Sequence, residues 1–525
     1  LRKLHLPHYL PHMMTGLTLR HPLLVYAVNR SSSSTLSNWQ PYDFVRRTGG
    51  FCVSELQGLL CFGREPCIFR CPMKPKFREP EQDDLLRPRL TDMINMRHEL
   101  VRLEALIDWE FFEREWAGFF PSHTGRPATS PRLVAGILYL QHVYALSDED
   151  VIARWVENPY LQHFCGETFF QHRRPIDPSS LTNWRKRIGE EGVEWLLTKT
   201  IEAGIEAGII DRRSAEQVIV DTTVMEKNIA HPTDARLYER ARQRLVKLAQ
   251  EVGLKLRQSY ARLGPRLAAQ VGRYAHARQS KRMRKGLRRL KGYTGRVMRD
   301  IERSLDSIAD SALREHIAGE IALVDRLLRQ KPKDKGKLYA LHEPDVDCIS
   351  KGKARKRYEF GCKVSIATTL KEGFVVGTRS MPGNPYDGHT LHEALEQVEI
   401  LTDTRPRRAF VDRGYRGHGV PGTEIFISGQ RRGMTPALKK DLRRRSAIEP
   451  TIGHMKTDGR LARCTLKGTM GDALFAVLCG CGHNIRLILA HLRKVMAAIL
   501  EFLLGAFAAI IRRRWQPEPQ IALQA

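Results

Sequence analysis

The sequence predicts an α/β protein: a mixed β-sheet flanked by helices, preceded by an all-helical domain and interrupted after its first strand by a helical insertion. Three observations carry this. Short β-branched or aromatic runs bounded by turn residues, at 218–220, 409–411 and 424–427, read as buried strands. Residues 73–210 show helical apolar spacing and helix starts. Residues 236–330 are long, basic and helix-patterned, and they split the strand pattern in two.

The chain has 525 residues, too many for one ordinary core, so two to four domains are expected. A hydrophobic content of 42% is ample for folding. Lys and Arg number 86 against 58 Asp and Glu, a net charge of +28. That excess implies a polyanionic partner bound in a salt-dependent way, with an anionic membrane surface as the rival. Ten scattered Cys and no visible secretory signal imply reduced thiols in the cytoplasm.

Residues 1–72 differ from the rest. They begin with Leu1 and mix Pro, His, a Ser run at 31–34 and Cys52, Cys61, Cys67 and Cys71, with no sustained period. They read as a leader translated in frame from upstream DNA, or as disordered, with Met73 the expected start. The alternative is a small zinc module, but no paired C-x2-C knuckle is present.

Residues 73–120 offer a broad apolar helical face. Ser130-Pro131 is an N-cap followed by Pro at the first helical position. The helix it opens runs to about Tyr144, and Ala145-Leu146-Ser147 turns into a second helix, Asp148 to about Glu157. Two helices across a short turn have the form of a helix-turn-helix. Pro178-Ser179-Ser180 opens another helix, whose Asn183, Arg185, Lys186 and Arg187 combine base-reading and phosphate-binding residue types. The competing reading is a plain helical bundle with solvated cations.

The first core strand closes at Asp221, which places this carboxylate at the sheet's edge. After the insertion (233–340), Tyr358-Glu359-Phe360-Gly361-Cys362-Lys363-Val364-Ser365-Ile366 and Phe374-Val375-Val376-Gly377 form a hairpin across Lys371-Glu372-Gly373. A helix at about 389–401 precedes the strand that ends at Asp412, then come the strand at 424–427 and a helix bearing Glu449. The core therefore covers 211–232 and 341–495, and the order fits a ribonuclease-H-like fold. Residues 496–525 form a C-terminal helix and tail. The run 495–511 is nearly all apolar except Glu501, short for a membrane span, and reads as a packing or dimer-forming helix. Cys479-Gly480-Cys481-Gly482-His483 lies in an apolar helical setting and reads as structural.

Two strand-end Asp and one helical Glu in a basic chain suggest a divalent-metal site acting on a polyanion. At about 100° per residue, Leu442, Arg445, Glu449 and Lys456 share one helix face, so Glu449 is flanked by cations suited to phosphates. The bland reading is a surface helix with an i,i+4 ion pair.

At this point the sequence resembles a known family. The residues are Asp221-Thr222-Thr223, Asn384-Pro385-Tyr386-Asp387-Gly388-His389-Thr390, Asp412-Arg413-Gly414-Tyr415, and Arg445-x3-Glu449-x6-Lys456. Tyr358-Glu359-Phe360-Gly361-Cys362-Lys363 and Asp177-Pro178-Ser179-Ser180-Leu181-Thr182-Asn183-Trp184-Arg185 match as well. Together they resemble bacterial insertion-sequence transposases of the DDE type, in the family named insertion sequence five, over roughly residues 73–495. The family often carries a Tyr three residues before the Arg; here that position is Leu442, which puts a tyrosine-dependent DNA contact in doubt.

The resemblance implies a ribonuclease-H-like core in which Asp221, Asp412 and Glu449 hold two Mg²⁺ ions, Mn²⁺ substituting, for cleavage and strand transfer. It implies that Arg445 and Lys456 grip backbone phosphates and that Thr222, Thr223, Asp387, Arg413 and Tyr415 lie near the site. His389 is either near-site or a structural helix-start residue. The implied partners are double-stranded DNA, as transposon ends and target, and a second copy of the chain in a synaptic homodimer. No membrane is implied, and the setting is the cytoplasm and its nucleoid. The rival class is a non-catalytic DNA-binding regulator or an inactive copy, which could lose an acid without harm; all three acids are present.

Overall fold

The computed structural model describes residues 87–119, 129–350 and 356–514. The leader, its zinc alternative and Met73 lie outside the described residues.

The helices of the N-terminal part stand where their caps place them. Ser130 accepts a hydrogen bond from the Leu133 amide, and Pro131 opens the helix Pro131–Val143. Ser147 caps Asp148–Glu157 by accepting from the Asp150 amide at 3.0 Å. Pro131–Val143 is buried along its whole length apart from Arg132, so it is the domain's central helix rather than a surface element. Asp177 caps Pro178–Glu206, which kinks at Gly189, where φ is 61°.

One mixed sheet forms the core, as expected. Its strands are β1 (Gln217–Lys227), β2 (Asp347–Ile349), β3 (Glu359–Thr369), β4 (Val375–Met381), β5 (Arg408–Val411), β6 (Glu424–Ile427) and β7 (Arg463–Cys464). β1 is central. It pairs antiparallel with β3 from Val218↔Thr369 to Glu226↔Gly361, and parallel with β5 over 217–219. β6 continues parallel beyond β5, and β4 runs antiparallel on the far side of β3. Gly361 is required by this register: a Cβ there would stand 2.0 Å from the Met225 carbonyl oxygen.

The first strand does not close at Asp221, as the sequence reading expects. It continues through Thr222, Thr223, Val224 and Met225 to Lys227. Threonine is as much a strand former as valine, and β3 pairs this whole stretch. The carboxylate is nonetheless reachable, because β5 leaves β1 at Ile219 and β7 joins it only at Glu226.

The insertion between β1 and β2 is four helices, Asp234–Glu251, Leu263–His276, Ser280–Arg303 and Ser311–Arg329. They enclose a core of their own, including Ala241, Leu245, Leu290, Val297, Val324 and Leu327. The last described element is a single helix, Gly468–Arg514, packed on Pro131–Val143, Pro178–Glu206 and β4. The Cys-Gly-Cys-Gly-His run sits in that contact. A Cβ at Gly482 would lie 2.4 Å from the His142 carbonyl oxygen, and Cys479, Cys481 and His483 are buried. No break separates a tail at 496. Beyond Leu492 the helix leaves the core and exposes Ile499, Phe502, Leu503, Leu504 and Phe507. No described helix is long and apolar enough to cross a membrane.

Candidate active site

The site is built where β5 departs from β1. Alternation along β1 sends Ile219 towards Phe410, Phe426 and Ile448, and Asp221 shares that face. Val218 and Val220 belong to the opposite face, as does Thr222, whose hydroxyl donates to Asp387 Oδ1 at 3.0 Å. Two helices thus approach β1 from opposite sides, Asp387–Thr402 on one and Ile448–Thr457 on the other.

Asp412 follows the last residue of β5 and caps the short turn Arg413–Tyr415, its Oδ1 accepting from the Gly414 amide at 2.6 Å. Gly414 has a steric reason. A Cβ there would lie 2.9 Å from Asp412 Oδ1 and 3.1 Å from Asp387 Oδ2, so only glycine lets both carboxylates close in. Tyr415 is fully buried beneath them. Burial, then the charges of Asp221, Asp387 and Asp412, pushes its phenol well above the ordinary range, so it stays protonated. Asp221, Thr222, Lys363, Asp387 and Asp412 line one open cleft of about 460 Å³.

Lys363 is the residue that sequence reasoning passed over as a site group. It is 6% exposed, and its ammonium donates to Asp387 Oδ1 at 2.9 Å and to the Pro385 carbonyl at 2.5 Å. The signal was present: a lysine inside the apolar run Gly361-Cys362-Lys363-Val364 cannot be buried without a fixed anion.

Glu449, in the first turn of Ile448–Thr457, stands at the rim with its side chain 65% exposed. Arg445 ties it to the cleft, one guanidinium nitrogen 3.5 Å from Glu449 Oε1 and the other 3.5 Å from Asp221 Oδ2. With that cation between them, no three Asp, Glu, His or Cys side chains among the described residues enclose a single ion position. Lys456 donates to the Val224 carbonyl at 2.8 Å, on the stretch of β1 between its β5 and β7 pairings. Leu442 packs with Ile219, Phe410 and Ile448, so the position of the family's Tyr is filled here by core contact.

Other expected site residues do not line this cleft. His389 is exposed and meets the Tyr386 ring edge-on at 5.5 Å. Arg413 is exposed and donates to the Ser428 carbonyl, tying the β5 turn to the end of β6. Thr223 is buried. Arg185 requires a correction: it is 3% exposed, its guanidinium bonded to both carboxylate oxygens of Asp148 at 2.7 and 2.8 Å and to Gln141 at 2.7 Å. A guanidinium so enclosed braces the helices and cannot reach DNA. Asn183, Lys186 and Arg187 are exposed on the same helix.

Residues 88–187 match the family described as "Transposase domain (DUF772)", and residues 327–485 match "Transposase DDE domain". The chain therefore carries two transposase domains, one of them of the DDE type. The DDE match takes in Asp387, Asp412 and Glu449, while Asp221 lies ahead of it, across the insertion. DDE transposases have a ribonuclease-H-like core, which the β4-β3-β1-β5-β6 sheet order accommodates. The chain is also 52% identical, over 207 residues, to a Rhizobium meliloti protein described as "Uncharacterized protein ORF8 in nfe locus", a match spanning 39% of this chain and 100% of the relative. No solved structure matches.

Proposed function

We propose that this transposase belongs to the insertion sequence five family, binds the inverted-repeat ends of its element, and catalyses Mg²⁺-dependent DNA cleavage and strand transfer. One observation carries the reading: Asp221 and Asp412 face one open cleft, and Glu449 is tethered to Asp221 through Arg445. Asp221, Asp412 and Glu449 would hold the metal. Their donors are all carboxylate oxygens, and among the described residues no thiol or imidazole lines the cleft, which suits Mg²⁺ or Mn²⁺. When bound, the divalent ions supply Lewis-acid charge neutralisation at the scissile phosphate.

The chain's own groups do the positioning. Arg445 exchanges its carboxylate partners for a backbone phosphate when DNA arrives. Lys456 holds the Glu449 helix against β1, close enough for the same DNA strand to meet it. Lys363 and Thr222 fix Asp387 beside Asp412, and Tyr415 closes the floor of the cleft. Asn183, Lys186 and Arg187 form the DNA-facing part of the N-terminal domain. Two copies, at the nucleoid in the cytoplasm, pair the two ends.

Asp412→Asn tests the reading. Asparagine keeps the size of the side chain and can still accept from the Gly414 amide, but it removes a charge needed to hold metal. Specific end binding is expected to persist while Mg²⁺-dependent cleavage falls at least about a hundredfold. Cleavage at the wild-type rate would reject the catalytic assignment in favour of a DNA-binding regulator.

A further inference from the structure

The insertion carries a surface that the cleft does not use. Between Val252 and Arg299 stand fifteen Lys and Arg and no Asp or Glu. All fifteen are exposed. A solvated helix ordinarily mixes signs, because like charges four residues apart repel. Here Lys281 and Lys285, Arg284 and Arg288, and Lys285 and Arg289 are all such pairs, and among the described residues no cation from Lys281 to Arg296 makes an ion pair.

Two features make this charge a built groove. Lys285, Arg289, Gly292 and Arg296 form one stripe along Ser280–Arg303. With Arg288 and Tyr293 they line a groove of about 570 Å³, and Arg266 and Arg273 of Leu263–His276 line its neighbour of about 470 Å³. The guanidinium groups are held in place: Tyr293 stacks on Tyr260 at 4.3 Å, Arg296 donates to the Tyr260 hydroxyl at 3.1 Å, and Arg289 donates to the Tyr293 hydroxyl at 3.3 Å.

Gly292 then needs a reason. Mid-helix glycine costs roughly 0.5–1 kcal/mol relative to alanine. Gly286 is explained by the helix crossing, since its Cβ would strike Val271 at 2.5 Å, but a Cβ at Gly292 would meet nothing within 4 Å. Among the described residues, no contact asks for its absence. It leaves the groove floor bare for something that approaches closely from outside.

We propose that this groove is a docking surface for duplex DNA, separate from the catalytic cleft, holding the sugar–phosphate backbone without reading bases. The proposal rests on the reading of the protein as a DNA transposase. Arginine forks match phosphate geometry. The stripe from Lys285 to Arg296 extends about 16 Å, roughly five base pairs of duplex rise. The groove shows sequence-reading amide chemistry only at Gln270.

The test uses the full chain without divalent metal and a duplex of random sequence, across a salt series from about 50 to about 400 mM. The variant Lys285→Gln/Arg288→Gln/Arg289→Gln/Arg296→Gln is expected to lower the slope of log affinity against log salt by about three to four, with affinity at moderate salt down more than about tenfold. Lys285→Gln/Arg288→Gln, which touches neither tyrosine, keeps the test valid if the fourfold variant misfolds, and is expected to lower the slope by about two. Unchanged slope and affinity in a folded variant overturn the proposal. So does loss of binding to polyglutamate or to duplex RNA with duplex DNA binding intact, which would assign the groove to an acidic protein or to RNA. Because no metal is present, the result stands apart from whether the wild type cleaves transposon ends.

Discussion

Asp221 on β1 and Glu449 on the Ile448–Thr457 helix meet through one guanidinium, Arg445 lying 3.5 Å from each carboxylate. The same two carboxylates are proposed to bind metal, so the guanidinium and a divalent cation compete for them. Arg445→Gln is expected to tighten Mn²⁺ binding several-fold in the absence of DNA, by calorimetric titration, while weakening end-DNA affinity and lowering its salt slope by about one. Unchanged Mn²⁺ affinity would show that Arg445 does not occupy the metal's place.

Lys363 and Asp387 form the buried support of the same cleft. Lys363→Met removes the ammonium that holds Asp387 and the Pro385 carbonyl, leaving Asp387 with Thr222. A loss of roughly 2–3 kcal/mol in unfolding free energy is expected, with end cleavage reduced and end affinity preserved. A variant as stable as wild type would mean that the buried ion pair is not what fixes Asp387.

Arg185 and Lys186 are neighbours in opposite settings, the first buried and the second exposed. Arg185→Gln breaks a buried ion pair and is expected to cost about 3–5 kcal/mol in chemical denaturation. Lys186→Gln is expected to leave stability within about 0.5 kcal/mol and to reduce DNA affinity and its salt slope. A salt slope that responds to Arg185 in the folded variant, and not to Lys186, would reverse the assignment.

Acid sensitivity is built into the long C-terminal helix. Burial, reinforced by the positive charge of Arg486, pushes the His483 imidazole down to about 4 from an ordinary 6.5. The unfolded chain therefore binds a proton that the folded chain refuses. The stability this residue contributes is present above about pH 6.5 and is lost as pH falls towards 4, a change of roughly 3 kcal/mol. Asp472 acts in the opposite sense, because burial raises its carboxyl to about 6. The informative quantity is thus the difference between wild type and His483→Gln, measured by denaturant titration from pH 7 to about pH 4.5. That difference should shrink or change sign as the solution is acidified, and a constant difference would remove His483 from the account.

Much of the architecture was legible because it rests on local chemistry. The cap at Ser130, the turn Ala145-Leu146-Ser147 and the start Pro178-Ser179-Ser180 marked three helices, and β-branched runs located β3, β5 and β6. Asp412 was placed correctly because a turn follows its strand at once. Asp221 was misread as a strand end: the polarity of Thr222 and Thr223 looked like a stop, although threonine pairs well in a sheet. β2 and β7 are too short, at three and two residues, to leave a pattern. Arg185 lay beyond local reading, because its burial depends on Asp148 reaching it from another helix. Of the candidate site, the chain shows the acids and the local Arg445–Glu449 pair plainly, but not Arg445's reach to Asp221 or Lys363's to Asp387, which only tertiary packing makes.

The insertion between β1 and β2 has a consequence for the newborn protein. The central strand leaves the ribosome long before its antiparallel partner exists, and Glu449 later still. At roughly 5–20 residues per second, β1 waits on the order of ten seconds or more for a neighbour. During that interval an apolar strand with two open edges is tethered to a basic bundle able to assemble around its own core. A chain cut short before β3 leaves the bundle joined to an unpaired, aggregation-prone strand. Synthesis itself then acts as a timer: Glu449 can join Asp221 only after everything between them has been made.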